Sequence, residues 1–313
     1  MRTILGHHHI SMIIKDAAAT NKFYKEVLGL RRVKISVNQD DPSMYHLFYG
    51  DLTGSPGTEL TFFEMPAVGR THRGTNAITR IGLLVPSADS LMYWKERFES
   101  LDVKHGSITE YASREALPFE DPDGLRLVLV NKKDDTVPRF WQPWENAAID
   151  KEHRILGMGT VEITVRDINS TKKTLKEIFG YNEAGPAEHG IILRAGKGKV
   201  YSEVLLKEES GSAERPGKGS VHHLAIRAKD VEELHMWDKK IKQKGFVSTG
   251  VIDRYYFHSL YFRDANRIMF EIATDGPGFT VDSSIENLGS KLDLPPFLED
   301  KRQEIMDKLK PIE

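Results

Sequence analysis

The chain repeats itself, and that repetition constrains its fold more than any other feature. The segment "HHHISMIIKD" at residues 7–16 returns as "VHHLAIRAKD" at 221–230. In both, the second member of a His-His pair stands seven places before an Asp, with an alternating apolar run between. Alternation of this kind reads as a β-strand. "GTVEITVRD" at 159–167 and "TRIGLLVPSAD" at 79–89 have the same shape without the histidines. Each copy then runs into a segment with apolar residues at helical spacing, over 17–28, 88–101, 169–179 and 230–244. Gly29, Gly180 and Gly245 end three of these helices and Asp102 the fourth, where a left-handed cap is expected. Asp16 to Gly29 and Asp167 to Gly180 span 13 residues, whereas Ser87 to Asp102 and Asp230 to Gly245 span 15. An already doubled unit has therefore been duplicated.

Three short strands are expected after each helix, the last pair being "FEDPDGLRLVLV" at 119–130 and "FRDANRIMFEI" at 262–272. Setting Phe119 against Phe262 places Val128 opposite Glu271. The fold class is thus α+β, with four βαβββ modules near 5–66, 76–132, 156–207 and 218–274. The expected organisation is a first module pair over 1–135, a linker over 136–153 that holds Trp141 and Trp144, a second pair over 154–275, and a C-terminal tail over 276–313 with a helix in its last third.

Composition excludes several functions. Lys and Arg number 44 against 46 Asp and Glu, a net charge of −2, so the electrostatic footprint of a nucleic-acid binder is missing. No apolar run approaches the ~20 residues of a spanning helix, and the N-terminal stretch lacks a signal-peptide layout, so a cytoplasmic protein is expected. With no cysteine, a metal would have to sit on His and carboxylate ligands.

On a strand, neighbouring side chains point to opposite faces. His8 shares a face with Ile10, Met12 and Ile14, which suits the layer beneath the helix; His9 shares one with Ser11, and His223 with Ala225 and Arg227. His9 and His223 are therefore the expected ligands. Glu271 is the third, because an unpaired carboxylate in the apolar run "RIMFEIA" would be costly to bury. Two imidazoles and one carboxylate on one side of an ion leave positions open, the arrangement of non-haem Fe(II) oxygenases. Blander readings stand beside this one. A single His-His pair is compatible with one core and one solvated histidine, and three successive histidines with a purification remnant. Glu271 alone fits a salt-bridged strand carboxylate, and Arg254, Tyr256, His258 and Tyr261 fit a surface cluster. Recurrence of the pair at equal distance from Asp favours the metal.

The fourfold βαβββ pattern resembles the vicinal-oxygen-chelate superfamily, which includes glyoxalase I and type I extradiol dioxygenases. "LYFRDANRIMFE" at 260–271 is similar to the extradiol signature, with Tyr261 and Glu271 matching and Ala265 and Arg267 departing from its usual Pro and Gly. Thr160 stands where catechol-cleaving enzymes have a first His ligand, and Arg254 where they have a catalytic His. Both departures resemble the hydroquinone-type ring-cleaving dioxygenases, as do "YHLFYGD" at 45–51, "GSPGTELTFF" at 54–63 and "GPGFTVD" at 276–282. The resemblance implies metal ligation by His9, His223 and Glu271, and supporting catalytic roles for His8, His222, Arg254 and Tyr261. It implies Fe(II), with Mn(II) as the alternative, and a small aromatic substrate with dioxygen. Phe48, Phe63, Tyr256 and Phe270 are candidate wall residues or ordinary core. The alternatives are a catechol extradiol dioxygenase, a binding protein that needs no metal, and a glyoxalase-like isomerase or lyase; the last would call for a fourth ligand, for which Glu64 is the candidate. A homo-oligomer is the default expectation for the assembly.

Overall fold

A computed structural model describes residues 4–145, 148–195 and 199–313. The first module runs β1 (His7–Ile14), α1 (Ala17–Lys22) continued by a π-helical Phe23–Val27, β2 (Arg31–Asn38), β3 (Asp41–Gly50) and β4 (Glu59–Glu64). The second has β5 (Ala77–Val85), α2 (Ala88–Ser100), β6 (Thr109–Tyr111), β7 (Arg114–Glu120) and β8 (Arg126–Asn131). The third has β9 (Gly157–Val165), α3 (Ile168–Thr174) continued by a π-helical Leu175–Phe179, β10 (Asn182–Ala187), β11 (Gly190–Arg194) and β12 (Glu203–Glu208). The fourth has β13 (Ser220–Ala228), α4 (Val231–Gln243), β14 (Ile252–Asp253), β15 (Phe257–Arg263) and β16 (Met269–Pro277). The fold is α+β, built as expected of four βαβββ modules. Each helix opens on the same device: Asp16, Ser87, Asp167 and Asp230 each accept from the backbone N–H three residues on. Each closes on a left-handed residue, Gly29 (φ 69°), Asp102 (φ 54°), Gly180 (φ 77°) or Gly245 (φ 85°). The copies with the shorter Asp-to-Gly spacing are the two that end in a π-helical turn.

The sheets combine modules from opposite halves of the sequence. One sheet has the order β14-β15-β16-β13-β1-β4-β3-β2 and the other β10-β11-β12-β9-β5-β8-β7-β6. Modules one and four thus share a sheet through antiparallel β1 and β13, and modules two and three through β5 and β9. Within each module the first and last strands pair in parallel. One apolar core lies between helices and sheets and runs through all four modules, with Tyr24, Trp94, Phe119, Phe179, Trp237 and Phe262 among its large members. Buried polar ties cross it. Tyr24 donates to the Asp121 carboxylate at 3.1 Å, and Thr171 donates to Asp264 at the matching turn of the fourth module.

The tail closes the open edge of the first sheet. Leu292 bridges to Ile35 of β2, while Leu294, Leu298 and Ile305 pack on Val37. The fully buried Lys34 ammonium donates to Asp282 (2.6 Å) and Asp293 (2.7 Å). The tail's last helix, α5 (Arg302–Lys308), lies in its expected third. Among the described residues no helix is long and apolar enough to cross a membrane.

Asp121 gives a test of the inter-module ties. Its oxygens also accept from the backbone N–H groups of Asp123 and Leu125, each at 2.9 Å. Burial, with Asp123 nearby, raises its carboxyl to about 7. The protonated form is therefore favoured in the fold, and stability is lost as pH rises from 3.8 towards about 7. Asp121→Ala should cost about 2 kcal/mol in urea denaturation. Asp121→Asn should cost less and flatten the stability profile across that pH window.

Candidate metal centre

Strand alternation places His8 and His9 on opposite faces, with His8 under the helix; the structure corrects this. Pairing runs from His7↔Ile226 to Ile10↔Leu224, so β1 carries one residue more than β13. Between Ser11↔His223 and Met12↔Val221 the extra residue, His222, falls on β13 instead. These are β-bulges, and a bulge turns consecutive side chains toward one side. His8 and His9 meet edge to face at 5.1 Å between ring centroids, and both pack on Phe257. His222 and His223 repeat the arrangement at 5.0 Å. His7, on the other side, reaches Tyr181 in the core.

His9, His223 and Glu271 come together at the centre of the sheet, from β1, β13 and β16. The Nε2 atoms of His9 and His223 are 3.3 Å apart, and Glu271 Oε2 lies 3.1 Å from the first and 2.7 Å from the second. All three residues are buried. The other Glu271 oxygen accepts from the Ser259 hydroxyl.

The preceding histidines control the protons. His8 Nε2–H donates to the Thr274 carbonyl (3.1 Å), leaving Nδ1 to accept from His9 Nδ1–H at 3.0 Å. His222 Nδ1 lies 2.7 Å from His223 Nδ1 and plays the same part. Burial, then repulsion from the adjacent ligand imidazole, drives His8 and His222 down to about 3, so both are neutral near pH 7. With their protons on Nδ1, His9 and His223 aim lone pairs from Nε2 at the Glu271 carboxylate. Burial works against charge on Glu271, and its carboxyl falls well below the usual carboxylate range only through positive charge or a donated proton at the two imidazoles, the part a cation takes when both are neutral. Glu271 Oε2 has no hydrogen-bond partner among the described residues. Three converging acceptors with no proton among them are the donor set of a cation, and the residues present fit a divalent metal.

Among the described residues one other group has this density, His8, His9 and Glu59. Both ring nitrogens of His8 are already engaged, and burial and nearby Asp51 raise the Glu59 carboxyl well above its ordinary value. His8 therefore offers that group no free lone pair, although Glu59 Oε2 has no hydrogen-bond partner among the described residues. Glu64 is no fourth ligand: it faces the helix and accepts from Ala17 N–H at 2.9 Å. Thr61, paired with Ser11 as Glu271 is paired with Ala225, holds the corresponding place in the first module.

A cavity of about 520 Å³, its mouth included, opens over the three residues. Phe48, Phe63, Tyr256, Phe257 and Tyr261 form its walls. Phe270 does not line it: one place before Glu271, it points to the opposite face and packs on Phe179 and Phe262. Arg254 stands at the rim, its two Nη atoms each 3.0 Å from an Asp40 oxygen, and 5.9 Å from the Tyr261 ring centroid. Burial, with Glu271 nearby, pushes the Tyr261 hydroxyl far up, so it stays protonated. His222 and His258 are not among the lining residues; His258 lies 3.8 Å from Asp253. Sequence reasoning missed His46 and Thr61, which also bear on this face. The alternation of "YHLFYGD" carried the signal, since it puts His46 on the face of Phe48.

With the geometry in place, comparison identifies the class. A model of the "Glyoxalase/Bleomycin resistance protein/Dioxygenase superfamily" matches residues 6–129 and 154–272, and the chain belongs to that superfamily. Within it, the chain is similar to enzymes named for ring cleavage. It is 48% identical to the Bacillus subtilis (strain 168) protein named "Putative ring-cleaving dioxygenase MhqA", over 98% of this chain and 99% of that one. It is 28% identical to a chlorohydroquinone/hydroquinone 1,2-dioxygenase of Sphingobium indicum, over 96% and 94% of the two chains. The crystal structure of a "putative dioxygenase" from Bacillus subtilis superposes with a TM-score of 0.92 at 33% identity, covering 100% of this chain and 99% of the other.

The proton-holding histidines can be tested directly. His8→Phe or His222→Phe removes the acceptor from a ligand's Nδ1–H and should lower metal affinity about 10- to 100-fold, read by chelator competition. Unchanged affinity would mean that the pairing does not orient the ligands.

Proposed function

We propose that this protein is a metal-dependent, ring-cleaving dioxygenase of the extradiol type that opens a hydroquinone-like ring. The observation that carries the reading is the buried convergence of His9 Nε2, His223 Nε2 and Glu271 Oε2 at the floor of an aromatic-walled cavity. These three residues would hold Fe(II), or Mn(II) with the same donors, which supplies the redox chemistry and acidifies a coordinated phenol. The kinship with ring-cleaving and hydroquinone dioxygenases supports the same conclusion.

The chain's own residues account for the rest of the site. Phe48, Phe63 and Phe257 exclude water and confine the plane of a ring. Tyr261, kept protonated by burial, is a hydrogen-bond donor beside Glu271. Arg254 stays charged and sets a fixed positive charge near the rim, where developing negative charge on oxygen is stabilised. Its bond to Asp40 orients it. His8 and His222 position the ligand imidazoles. In the reaction the ring bond beside a hydroxylated carbon breaks, and both atoms of dioxygen remain in the product. The three-residue donor set and the helix-capping role of Glu64 speak against a four-ligand isomerase.

Dioxygen uptake by anaerobically Fe(II)-loaded protein, offered hydroquinone, methylhydroquinone and catechol in parallel, tests the reading. Uptake is expected with the hydroquinones and should disappear in His223→Ala. Uptake with catechol alone would overturn the hydroquinone assignment. No uptake from iron-retaining protein would overturn ring cleavage.

A further inference from the structure

We propose that His46 is the specificity-determining residue of this cavity, the group that receives the remote hydroxyl of a para-dihydroxylated ring. The inference rests on the ring-cleaving reading and adds a residue that neither the metal set nor its supporting histidines include.

His46 lies on β3 and lines the same cavity as His9, His223 and Glu271. Its imidazole is clamped between two aromatic rings, Phe48 at 4.0 Å and Phe63 at 4.1 Å between centroids. Phe63 in turn packs on the His223 ring at 6.5 Å. The clamp fixes the plane of the imidazole, as a group meant to read a ligand must be fixed. Its Nε2 lies 3.2 Å from the Thr61 hydroxyl, which lies 2.6 Å from that of Ser11. Ser11 is the cross-strand partner of His223. A row of polar side chains thus runs across β3, β4 and β1 to the strand that holds a proposed metal ligand. An otherwise aromatic wall acquires a second polar end.

The Nδ1 atom of His46 makes no hydrogen bond to the described residues, although Nε2 is committed to Thr61. Burial, with His9 and His223 nearby, drives this imidazole well below its ordinary range, so it is neutral. A neutral ring has one N–H and one lone pair. Whichever of the two Thr61 takes, the other remains on Nδ1 for a ligand. A hydroxyl donates and accepts, so it satisfies either tautomer, whereas a methyl group satisfies neither. A ring bound through one hydroxyl at the floor would present its para hydroxyl to such a group, and a catechol would not. Leaving a desolvated polar atom unpaired is what makes rejection of the wrong analogue strong.

Anaerobic isothermal titration of metal-loaded protein with hydroquinone and with 4-methylphenol, which lacks the remote hydroxyl, tests the proposal without turnover. The wild-type protein should bind hydroquinone on the order of tenfold more tightly, the worth of one such hydrogen bond. His46→Phe should erase that preference by weakening hydroquinone alone, and His46→Gln should restore part of it. Turnover should show KM for hydroquinone rising about tenfold in His46→Phe, with metal content and melting temperature unchanged. A merely structural role would weaken both ligands alike and overturn the proposal. So would a preference that survives His46→Phe. If the wild-type protein cleaves hydroquinone and the variant keeps its KM, the assignment of His46 alone fails. If the wild-type protein binds neither ligand, the ring-cleaving reading fails with it.

Discussion

The site depends on burying three lone pairs against one another. His9 Nε2, His223 Nε2 and Glu271 Oε2 lie within 3.3 Å of each other, buried at the floor of the cavity. Without a cation or a shared proton, that convergence is expensive. The rest of the architecture makes it unavoidable. β1 and β13 meet at the middle of the sheet, and each carries a bulge at the residue before its candidate ligand, His9 or His223. The bulges bring the neighbouring histidine round to the ligand's Nδ1, which takes the ligand's proton away from the centre. A regular strand would have sent His8 and His222 to the opposite face and left the ligand tautomers unspecified. The doubled histidine is therefore a single device in two copies.

The second sheet shows the same framework without this device. By strand register, the places of His9, His223 and Glu271 are held there by Thr160, Arg80 and Val128. Arg80 faces Glu162 at 3.9 Å and the Tyr111 ring at 5.6 Å, while Thr160 donates to Glu203. Val128, Val130, Leu205 and Tyr111 pack together on this side. One sheet thus keeps an open cavity over three converging acceptors, whereas the other sets an apolar cluster beside the ion pairs of Arg80 with Glu162 and Arg194 with Glu203. A fold repeated four times thus builds one such convergence among the described residues, from the first and fourth modules.

Much of this was legible in the sequence. Module order, helix caps and closing glycines follow from local chemistry repeated at fixed spacing, and a repeat makes a weak local signal strong. His9, His223 and Glu271 were legible because histidine pairs recur at equal distance from Asp and because a carboxylate in "RIMFEIA" demands a partner. The bulges were not legible. Alternation is a rule about regular strands, and nothing in "HHHIS" announces the inserted residue, so His8 was placed under the helix. Pairing across modules was also out of reach: which strands join at β1·β13 and β5·β9 is set by packing of whole modules. Phe270 proves to be ordinary core, one of the two readings its sequence allowed, and Glu64, the rival's candidate fourth ligand, is taken up by the backbone of the first helix. The bond from Arg254 to Asp40 joins residues far apart in the chain and leaves no local trace.

The most direct test is the position of the ion. Crystals grown anaerobically with Fe(II) and measured at the iron absorption edge should show one anomalous peak per chain, bounded by His9 Nε2, His223 Nε2 and an oxygen of Glu271. A peak among His8, His9 and Glu59, or no peak from protein that retains iron, would contradict the account.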